Sequence, residues 1–326
     1  MKKILGIGNA LVDIMTQLEN DAILKDFELP KGSMQLVDKD KSEYVNSNTQ
    51  QFKKAITSGG SAANTINGLA NLSTPCGYIG KVGNDDFGDF FEKDLKQNNI
   101  NPILFKSKTE SGVAMALVSP DSERTFATFL GAAVELSADD LEVELFEGYD
   151  ILHIEGYLVF NNELLEKAVS LAKQAGLKIS LDLASYNVVE ANLDFLKNIT
   201  RDYVDIIFAN EEEAKAFTGK EPEQALEEIA TMCEIAIVKI GPKGSLIKKD
   251  GKSYKVDVIP AERRDTTGAG DLYASGFLYG LTKDLSMDKC GQIGTILSGK
   301  VIEVIGAKMP AETWNEIRKM VVEVER

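Results

Sequence analysis

The stretch AERRDTTGAGDLYASGFLYGL, residues 261–281, is the most informative part of this chain. Its last part, LYASGFLYGL, is mostly apolar and predicts a buried helix. The preceding residues, DTTGAGD, are poor helix formers, and each glycine is less favourable in a helix than alanine by about 0.5–1 kcal/mol. An ordinary helix cap needs only one polar residue. We therefore expect residues 265–271 to do more than start a helix.

The same seven residues have the chemistry of an anion site, and we call residues 265–271 the phosphate turn. If the helix begins near Gly268, the N–H groups from Gly268 to Asp271 lie in its first turn without helical acceptors. They lie at the positive end of the helix dipole, and the glycines let a bulky anion approach the backbone. The turn therefore predicts a phosphate site that needs no lysine.

Composition limits the class of protein. The 326 residues are 44% hydrophobic and 27% charged, as in ordinary globular proteins. The formal net charge of −15 argues against nucleic-acid binding, which requires a basic surface. The cysteines Cys76, Cys233 and Cys290 lack metal-ligand spacing and favour a reducing compartment. No apolar stretch has the length of a membrane span. We expect a cytoplasmic protein with neither nucleic-acid nor membrane partners.

Short apolar strands alternate with helical segments along most of the chain, which predicts an α/β fold with a mainly parallel sheet. Residues 250–251, Asp-Gly, predict a hairpin turn near its end. Two regions break the alternation, at about residues 11–40 and 111–131. We expect them to pair as a small β lid over the ligand crevice, within a single domain of residues 1–326.

A second glycine-rich stretch, GTILSGKV at residues 294–301, nearly matches the P-loop pattern. Val301 has no hydroxyl for Mg²⁺ at the position where the pattern requires one. The stretch also lies within a predicted helix of about residues 287–305, with no strand before it. We interpret it as a chance match.

Several motifs together resemble one family. DTTGAGD resembles the C-terminal signature of the ribokinase (PfkB) family of carbohydrate and nucleoside kinases. The other matching motifs, in the family's order, are GIGNALVDI (6–14), SGGSAANT (58–65), NEEE (210–213) and VKIGPKGSL (238–246). Within the family, QLVDKDK (35–41) and VDIIFANEEEA (204–214) look most like the bacterial adenosine kinase-like branch.

This resemblance implies a ribokinase-like three-layer α/β/α fold with a small β lid. ATP would lie across the C-terminal half, and the acceptor would lie under the lid. It also implies transfer to a primary hydroxyl with Mg²⁺ and, in many members, stimulation by a monovalent cation such as K⁺.

The resemblance implies a catalytic role for the phosphate turn. Asp271 would be the general base that accepts the proton of the attacking hydroxyl. The N–H groups of Gly268, Ala269 and Gly270 would stabilise charge on the transferred phosphoryl group.

On the acceptor side, Asp13 would accept hydrogen bonds from two adjacent hydroxyls, although taken alone it reads as a turn residue. Gln35 is equally well an exposed loop residue, and Arg124 a surface arginine. The predicted acceptor-binding residues are Asn9, Asp13, Gln35, Gly59, Gly60, Asn64 and Arg124.

On the nucleotide side, Asn210 and Glu213 would organise Mg²⁺ through water, or would form a plain helix cap. Asp265 and Thr267 offer oxygens for a monovalent cation. The predicted ATP-binding residues are Asn210, Lys239, Gly241, Gly244, Thr266, Gly268 and Gly270.

Three functions remain open. The leading hypothesis is a nucleoside kinase that converts adenosine to AMP. The alternatives are a kinase of a free sugar or sugar acid, of the ribose, fructose or 2-keto-3-deoxygluconate type, and a non-catalytic relative. An aromatic-lined slot beside Asp13 would favour a nucleoside, with candidate lining residues Phe129, Leu130, Tyr157 and Phe160. The protein would be a monomer, or a homodimer formed through the lid.

Overall fold

A computed structural model describes residues 1–121 and 123–326. Its strands are β1 (Ile4–Ile7), β2 (Leu11–Gln17), β3 (Met34–Leu36), β4 (Lys54–Gly59), β5 (Cys76–Gly83), β6 (Ile100–Ser107), β7 (Gly112–Val118), β8 (Arg124–Phe129), β9 (Ile151–Glu155), β10 (Lys178–Asp182), β11 (Ile206–Asn210), β12 (Ile235–Lys239), β13 (Ser245–Lys249) and β14 (Lys252–Val256). Its helices are α1 (Ala22–Asp26), α2 (Lys39–Ser47), α3 (Ser61–Asn71), α4 (Asp86–Gln97), α5 (Asn162–Gln174), α6 (Tyr186–Ala191), α7 (Leu193–Tyr203), α8 (Glu211–Thr218), α9 (Pro222–Ile229), α10 (Ala269–Thr282), α11 (Met287–Val301) and α12 (Ala311–Glu325).

The main sheet has the order β14-β13-β12-β11-β10-β9-β1-β5-β6. The strands from β12 to β6 pair in parallel, whereas β13 and β14 add an antiparallel hairpin in which Lys249 pairs with Lys252. Successive residues of the inner strands point to opposite faces of the sheet, and a separate hydrophobic core lies on each face. On β1, Ile4 packs in the core that contains α3, α10 and α11, and Leu5 packs in the core that contains α5 and α7. The three-layer α/β/α prediction is therefore confirmed.

The second sheet has the order β3-β8-β7-β2-β4, and we call it the lid. The two predicted lid regions supply β2, β3, β7 and β8. The prediction omitted β4, which pairs antiparallel with β2 along residues 54–59. This edge strand leaves several residues exposed and lacks the apolar alternation that identifies a half-buried strand from sequence.

Helix α10 is held in the core by direct contact with α11. A Cβ added at Gly276 would lie 2.5 Å from the carbonyl oxygen of Ile293 and 2.7 Å from the nitrogen of Gly294. The two helix backbones therefore touch, and no larger residue fits between them without a shift. The contact fixes the helix whose first turn belongs to the phosphate turn.

The P-loop-like stretch at residues 294–301 lies inside α11, which follows α10 and not a strand. The prediction of a chance match is confirmed by this placement. The helix ends at Val301, four residues earlier than predicted. None of the helices in the described ranges is both long and apolar enough to cross a membrane.

Replacing Gly276 with alanine should destabilise the protein. Alanine raises helix propensity, but overpacking of this kind lowers the free energy of unfolding by about 1–3 kcal/mol. Urea unfolding followed by circular dichroism measures the change. Ser170→Ala, on the exposed face of α5, is the control and should change stability by less than about 0.5 kcal/mol. Equal stabilities of the two variants would contradict the proposed backbone contact.

Candidate active site

The phosphate turn reverses the chain immediately before α10. Gly268 has φ +73°, a left-handed conformation that favours glycine, and it precedes the first helical residue, Ala269. The N–H of Ala269 donates to the carbonyl oxygen of Thr266 at 3.2 Å. In the described ranges, the N–H groups of Gly268, Gly270 and Asp271 have no acceptor. Three N–H groups of the turn are thus available to an anion, and the prediction that included Ala269 is corrected because that donor closes the turn.

The Asp271 carboxylate connects the two glycine-rich motifs. The Ser61 hydroxyl donates to its Oδ1 at 2.7 Å, and the Asn64 amide donates to its Oδ2 at 3.0 Å. Both donors lie in the first turn of α3, so Asn64 contacts the predicted base. Burial raises the pKa of Asp271 to about 6, although the two hydrogen bonds act in the opposite direction. Asp271 is therefore a carboxylate whose proton affinity suits proton transfer near neutral pH.

A lysine lies beside the first turn of α10. A Cβ added at Gly270 would be 3.1 Å from Nζ of Lys239, whose ammonium donates to Asp182 Oδ2 at 3.0 Å. Burial alone would lower the pKa of Lys239, but the carboxylates of Asp182 and Glu213 raise it. The lysine therefore stays charged at the phosphate turn. Asp182 was not predicted, since a single aspartate at the end of β10 carries no motif.

Asn210 and Glu213 form a reciprocal helix cap at the start of α8. The Glu213 N–H donates to Asn210 Oδ1 at 2.8 Å, and the Asn210 N–H and amide donate to the Glu213 carboxylate at 2.7 and 2.6 Å. Burial raises the pKa of Glu213 to about 7. Glu213 and Asp182 both lie near the Lys239 ammonium. These two carboxylates fit a Mg²⁺ ion that keeps its water ligands, not one bound directly by a protein cage.

Two further predicted glycines lie next to Lys239. Gly241 begins a short 3₁₀ turn after β12, and Gly244 ends that turn just before β13. The turn leaves the carboxyl end of the strand that carries Lys239. The structure therefore brings the nucleotide-side motif VKIGPKGSL to the phosphate turn.

Asp13 projects from lid strand β2 toward the same space. Its carboxylate lies against Gly59, where an added Cβ would overlap it. Burial raises the pKa of Asp13 to about 7; Lys308 and Arg124 act in the opposite direction, and the Asp271 charge raises the pKa further. Gly59 is two residues from Ser61, which donates to Asp271, so the two carboxylates approach the same turn, Asp13 from the lid and Asp271 from α10.

Asn9 is bound to a carboxylate that sequence reasoning missed. Its N–H and its side-chain amide donate to Glu155 Oε1 at 2.9 and 2.7 Å. The N–H of Ala62, in the first turn of α3, donates to Glu155 Oε2 at 2.9 Å. Burial raises the pKa of Glu155 to about 7. This side chain connects the end of β1 to the turn at Gly60, where φ is +99°. The position of Glu155 at the end of the buried strand β9 is the signal in the sequence that could have identified it.

Arg124 is a buried residue, not a surface arginine. It extends from lid strand β8 to the phosphate turn, where its guanidinium contacts the Asp265 carboxylate and the Thr267 hydroxyl. Asp265 also accepts the N–H groups of Thr267 at 2.9 Å and Gly306 at 2.6 Å. Asp265 and Thr267 therefore both contact Arg124, and their binding of a monovalent cation stays a prediction.

The strand register places the side chains of Gln35 and Asp13 on opposite faces of the lid. Asp13 pairs with Ala114, which in turn pairs with Thr128, whereas Gln35 pairs with Ala127 on the opposite face of the lid. Gln35 is also exposed. Its predicted contact with the substrate is therefore corrected, since a one-residue offset along a strand reverses the side-chain direction.

Among the candidate lining residues, Tyr157 lies closest to the chemistry. It is half-buried, and burial together with the charges of Glu155 and Asp271 raises its pKa. Phe160 is exposed, Leu130 is half-buried at the end of β8, and Phe129 pairs with Val113 on the lid face opposite Asp13.

Comparisons with known proteins identify the class of this site. A solved structure of a probable sugar kinase from Rhizobium etli CFN 42 is 35% identical, covers 99% of this chain and 99% of its own, and has a TM-score of 0.88. Adenosine kinase from Sinorhizobium meliloti is 32% identical, with 98% and 99% coverage and a TM-score of 0.87. The 5-dehydro-2-deoxygluconokinase of Shouchella clausii is 26% identical over 302 residues, which are 84% of this chain and 89% of that protein.

The family model for pfkB family carbohydrate kinases matches residues 32–314. The match includes α3, the lysine strand β12 and the phosphate turn with Asp271. The protein therefore belongs to the pfkB family of carbohydrate kinases and is an ATP-using phosphotransferase of the carbohydrate and nucleoside kinase class.

Proposed function

We propose that the protein transfers the γ-phosphoryl group of ATP to the primary hydroxyl of a nucleoside, with adenosine as the first acceptor to test. One observation carries this proposal. Asp13 of the lid lies against Gly59, and Asp271 of α10 accepts a hydrogen bond from Ser61, two residues after Gly59, beside the N–H groups of Gly268 and Gly270. A hydroxyl compound held by Asp13 would lie between a base and an anion site.

The residues would divide the reaction between them. Asp13 would accept hydrogen bonds from neighbouring hydroxyls of the acceptor and orient it. Asp271 would take the proton of the attacking hydroxyl oxygen as the new O–P bond forms. The phosphate-turn N–H groups and the Lys239 ammonium would stabilise charge on the transferred group. Mg²⁺, held through water by Asp182 and Glu213, would neutralise further phosphate charge when ATP is bound.

Two features favour a nucleoside acceptor. The lid face that carries Asp13 also carries Ala114 and Ala116, whose small side chains suit a flat base. The half-buried ring of Tyr157 follows Glu155 at the end of β9, and the charges of Glu155 and Asp271 raise its pKa. The adenosine kinase of Sinorhizobium meliloti, 32% identical over nearly the whole chain, supports the same proposal.

A free sugar or sugar acid is the second candidate. It is favoured by the likeness to the 5-dehydro-2-deoxygluconokinase of Shouchella clausii, which covers 84% of this chain. Asp13 would bind the hydroxyls of such an acceptor in the same way.

Asp271→Asn should leave the fold intact and lower kcat by about 10²–10⁴, because the amide cannot accept the proton. In the wild type, kcat should fall as the pH decreases through about 6, since the base must be ionised and burial raises its pKa to about 6. Steady-state kinetics between pH 5 and 8 measure both effects. Near-normal turnover of the variant would eliminate Asp271 as the base.

Lys239→Met should raise the KM for ATP and lower kcat by about tenfold or more, because a charge-assisted contact to phosphate contributes about 1.5–3 kcal/mol. Lys243→Met is a matched control, since Lys243 is exposed in the adjacent turn. Initial rates at varied ATP concentration distinguish the two variants. Similar kinetics of both would exclude a phosphate role for Lys239.

An acceptor screen tests the substrate class. ATP consumption is measured with adenosine, other nucleosides, pentoses, hexoses and keto-deoxy sugar acids, with Asp271→Asn as the blank. We expect adenosine to give the highest kcat/KM. Turnover of a sugar or sugar acid in the absence of nucleoside turnover would replace the first candidate by the second.

A further inference from the structure

A buried lysine lies at the acceptor side of the site and has no role in the scheme above. The ammonium of Lys308 is enclosed by protein, although part of its aliphatic chain is exposed. Among the described residues, its Nζ has no hydrogen-bond partner. An enclosed charge without a hydrogen bond is unfavourable unless nearby opposite charges compensate it.

The segment that carries Lys308 passes between the lid and the phosphate turn. The Gly306 N–H donates to the Asp265 carboxylate, and a Cβ added at Gly306 would lie 2.9 Å from Sδ of Met15 on β2. The Cβ of Ala307 is 2.6 Å from the position of a Cβ added at Gly268. Close contacts with the lid and with the phosphate turn therefore fix the position from which Lys308 projects.

The segment of Lys308 packs against the strand that carries Asp13. Gly306, two residues before Lys308, contacts the side chain of Met15, which lies two residues after Asp13 on the same face of β2. Asp94 accepts a hydrogen bond from Ser58, which is adjacent to the Gly59 backbone that lies against Asp13. The carboxylates of Asp94, Asp13 and Asp271 raise the pKa of Lys308, whereas its burial lowers it. The enclosed Lys308 ammonium therefore lies where it acts on the Asp13 carboxylate.

The surroundings of Asp13 favour its protonated form unless a cation acts on it. An acceptor-binding aspartate must be ionised to accept hydrogen bonds from two hydroxyls, yet burial and the nearby Asp271 charge favour the protonated form. Arg124 also acts on Asp13, but its guanidinium is engaged by Asp265 and Thr267. Lys308 is the larger of the two cationic influences on Asp13.

We propose that Lys308 is a positioning residue whose ammonium keeps Asp13 ionised and able to bind the hydroxyls of the acceptor. This role rests on the proposed function, in which Asp13 binds the acceptor. It adds a residue outside every motif identified in the sequence, contributed by the segment between α11 and α12.

The test compares the pH dependence of the acceptor's kcat/KM in the wild type and in variants. The acid limb should have its midpoint near the raised pKa of Asp13, about 7. Loss of the cation in Lys308→Met should move that midpoint upward by about one pH unit, which lowers kcat/KM at pH 7 roughly fivefold. Lys308→Arg keeps the charge and should keep the wild-type midpoint.

A second variant tests the same electrostatics in the opposite direction. Asp94→Asn removes a competing negative charge and should move the midpoint downward, so the proposal stays testable if Lys308→Met fails to fold. Lys167→Met, on the exposed face of α5, is the control for loss of a lysine charge. Its midpoint should match that of the wild type.

Direct titration separates this proposal from the proposed function. The ¹³C signal of the Asp13 carboxyl, assigned with Asp13→Asn, reports its midpoint without any turnover. A shifted Asp13 titration in Lys308→Met, in an enzyme that phosphorylates no acceptor, would overturn the proposed function but support this role for Lys308. An unchanged titration would overturn the role of Lys308 whatever the activity.

Discussion

The site depends on one half-buried carboxylate held between two helices. Asp271 lies in the first turn of α10, and it accepts hydrogen bonds from Ser61 and Asn64 at the start of α3. Both helices thus direct their N-terminal ends, with their partial positive charge, at the same group. The Thr65 hydroxyl donates to the Asp271 carbonyl oxygen, and Ser275 donates to the Thr65 carbonyl oxygen. This junction fixes the relative position of the acceptor-side and nucleotide-side motifs, which are some 200 residues apart in the chain.

A second constraint is the number of acidic groups at the carboxyl ends of the strands. Glu155 ends β9, Asp182 ends β10 and Glu213 follows β11, all beneath the crevice. Burial favours the neutral form of such groups, and like charges increase the effect. A different group stabilises each of these carboxylates. Backbone N–H groups donate to Glu155, the Lys239 ammonium donates to Asp182, and Glu213 forms the helix cap with Asn210. The acidic net charge of the chain therefore does not prevent the binding of a polyphosphate, because the donors are local.

The sequence predicted the parts of the site that depend on local chemistry. The order of strands and helices, the small β lid and the phosphate turn follow from periodicity, turn residues and glycine content. Residues whose role depends on contacts between distant segments were missed, namely Ser61, Glu155, Asp182 and Lys308. The error for Gln35 has the same origin, because its side-chain direction depends on the register between β3 and β8, which no local pattern specifies.

The contact between α10 and α11 at Gly276 joins backbone to backbone, so no side-chain rotamer intervenes. The position of the N–H groups in the first turn of α10 therefore does not depend on the rotamer of any side chain at this contact. Atoms that must stabilise a developing charge are most effective when they need no rearrangement at the moment of reaction. In the proposed function, the rigid half of the enzyme would be the half that binds the phosphate, and adaptation to the shape of the acceptor would be left to the five-stranded lid.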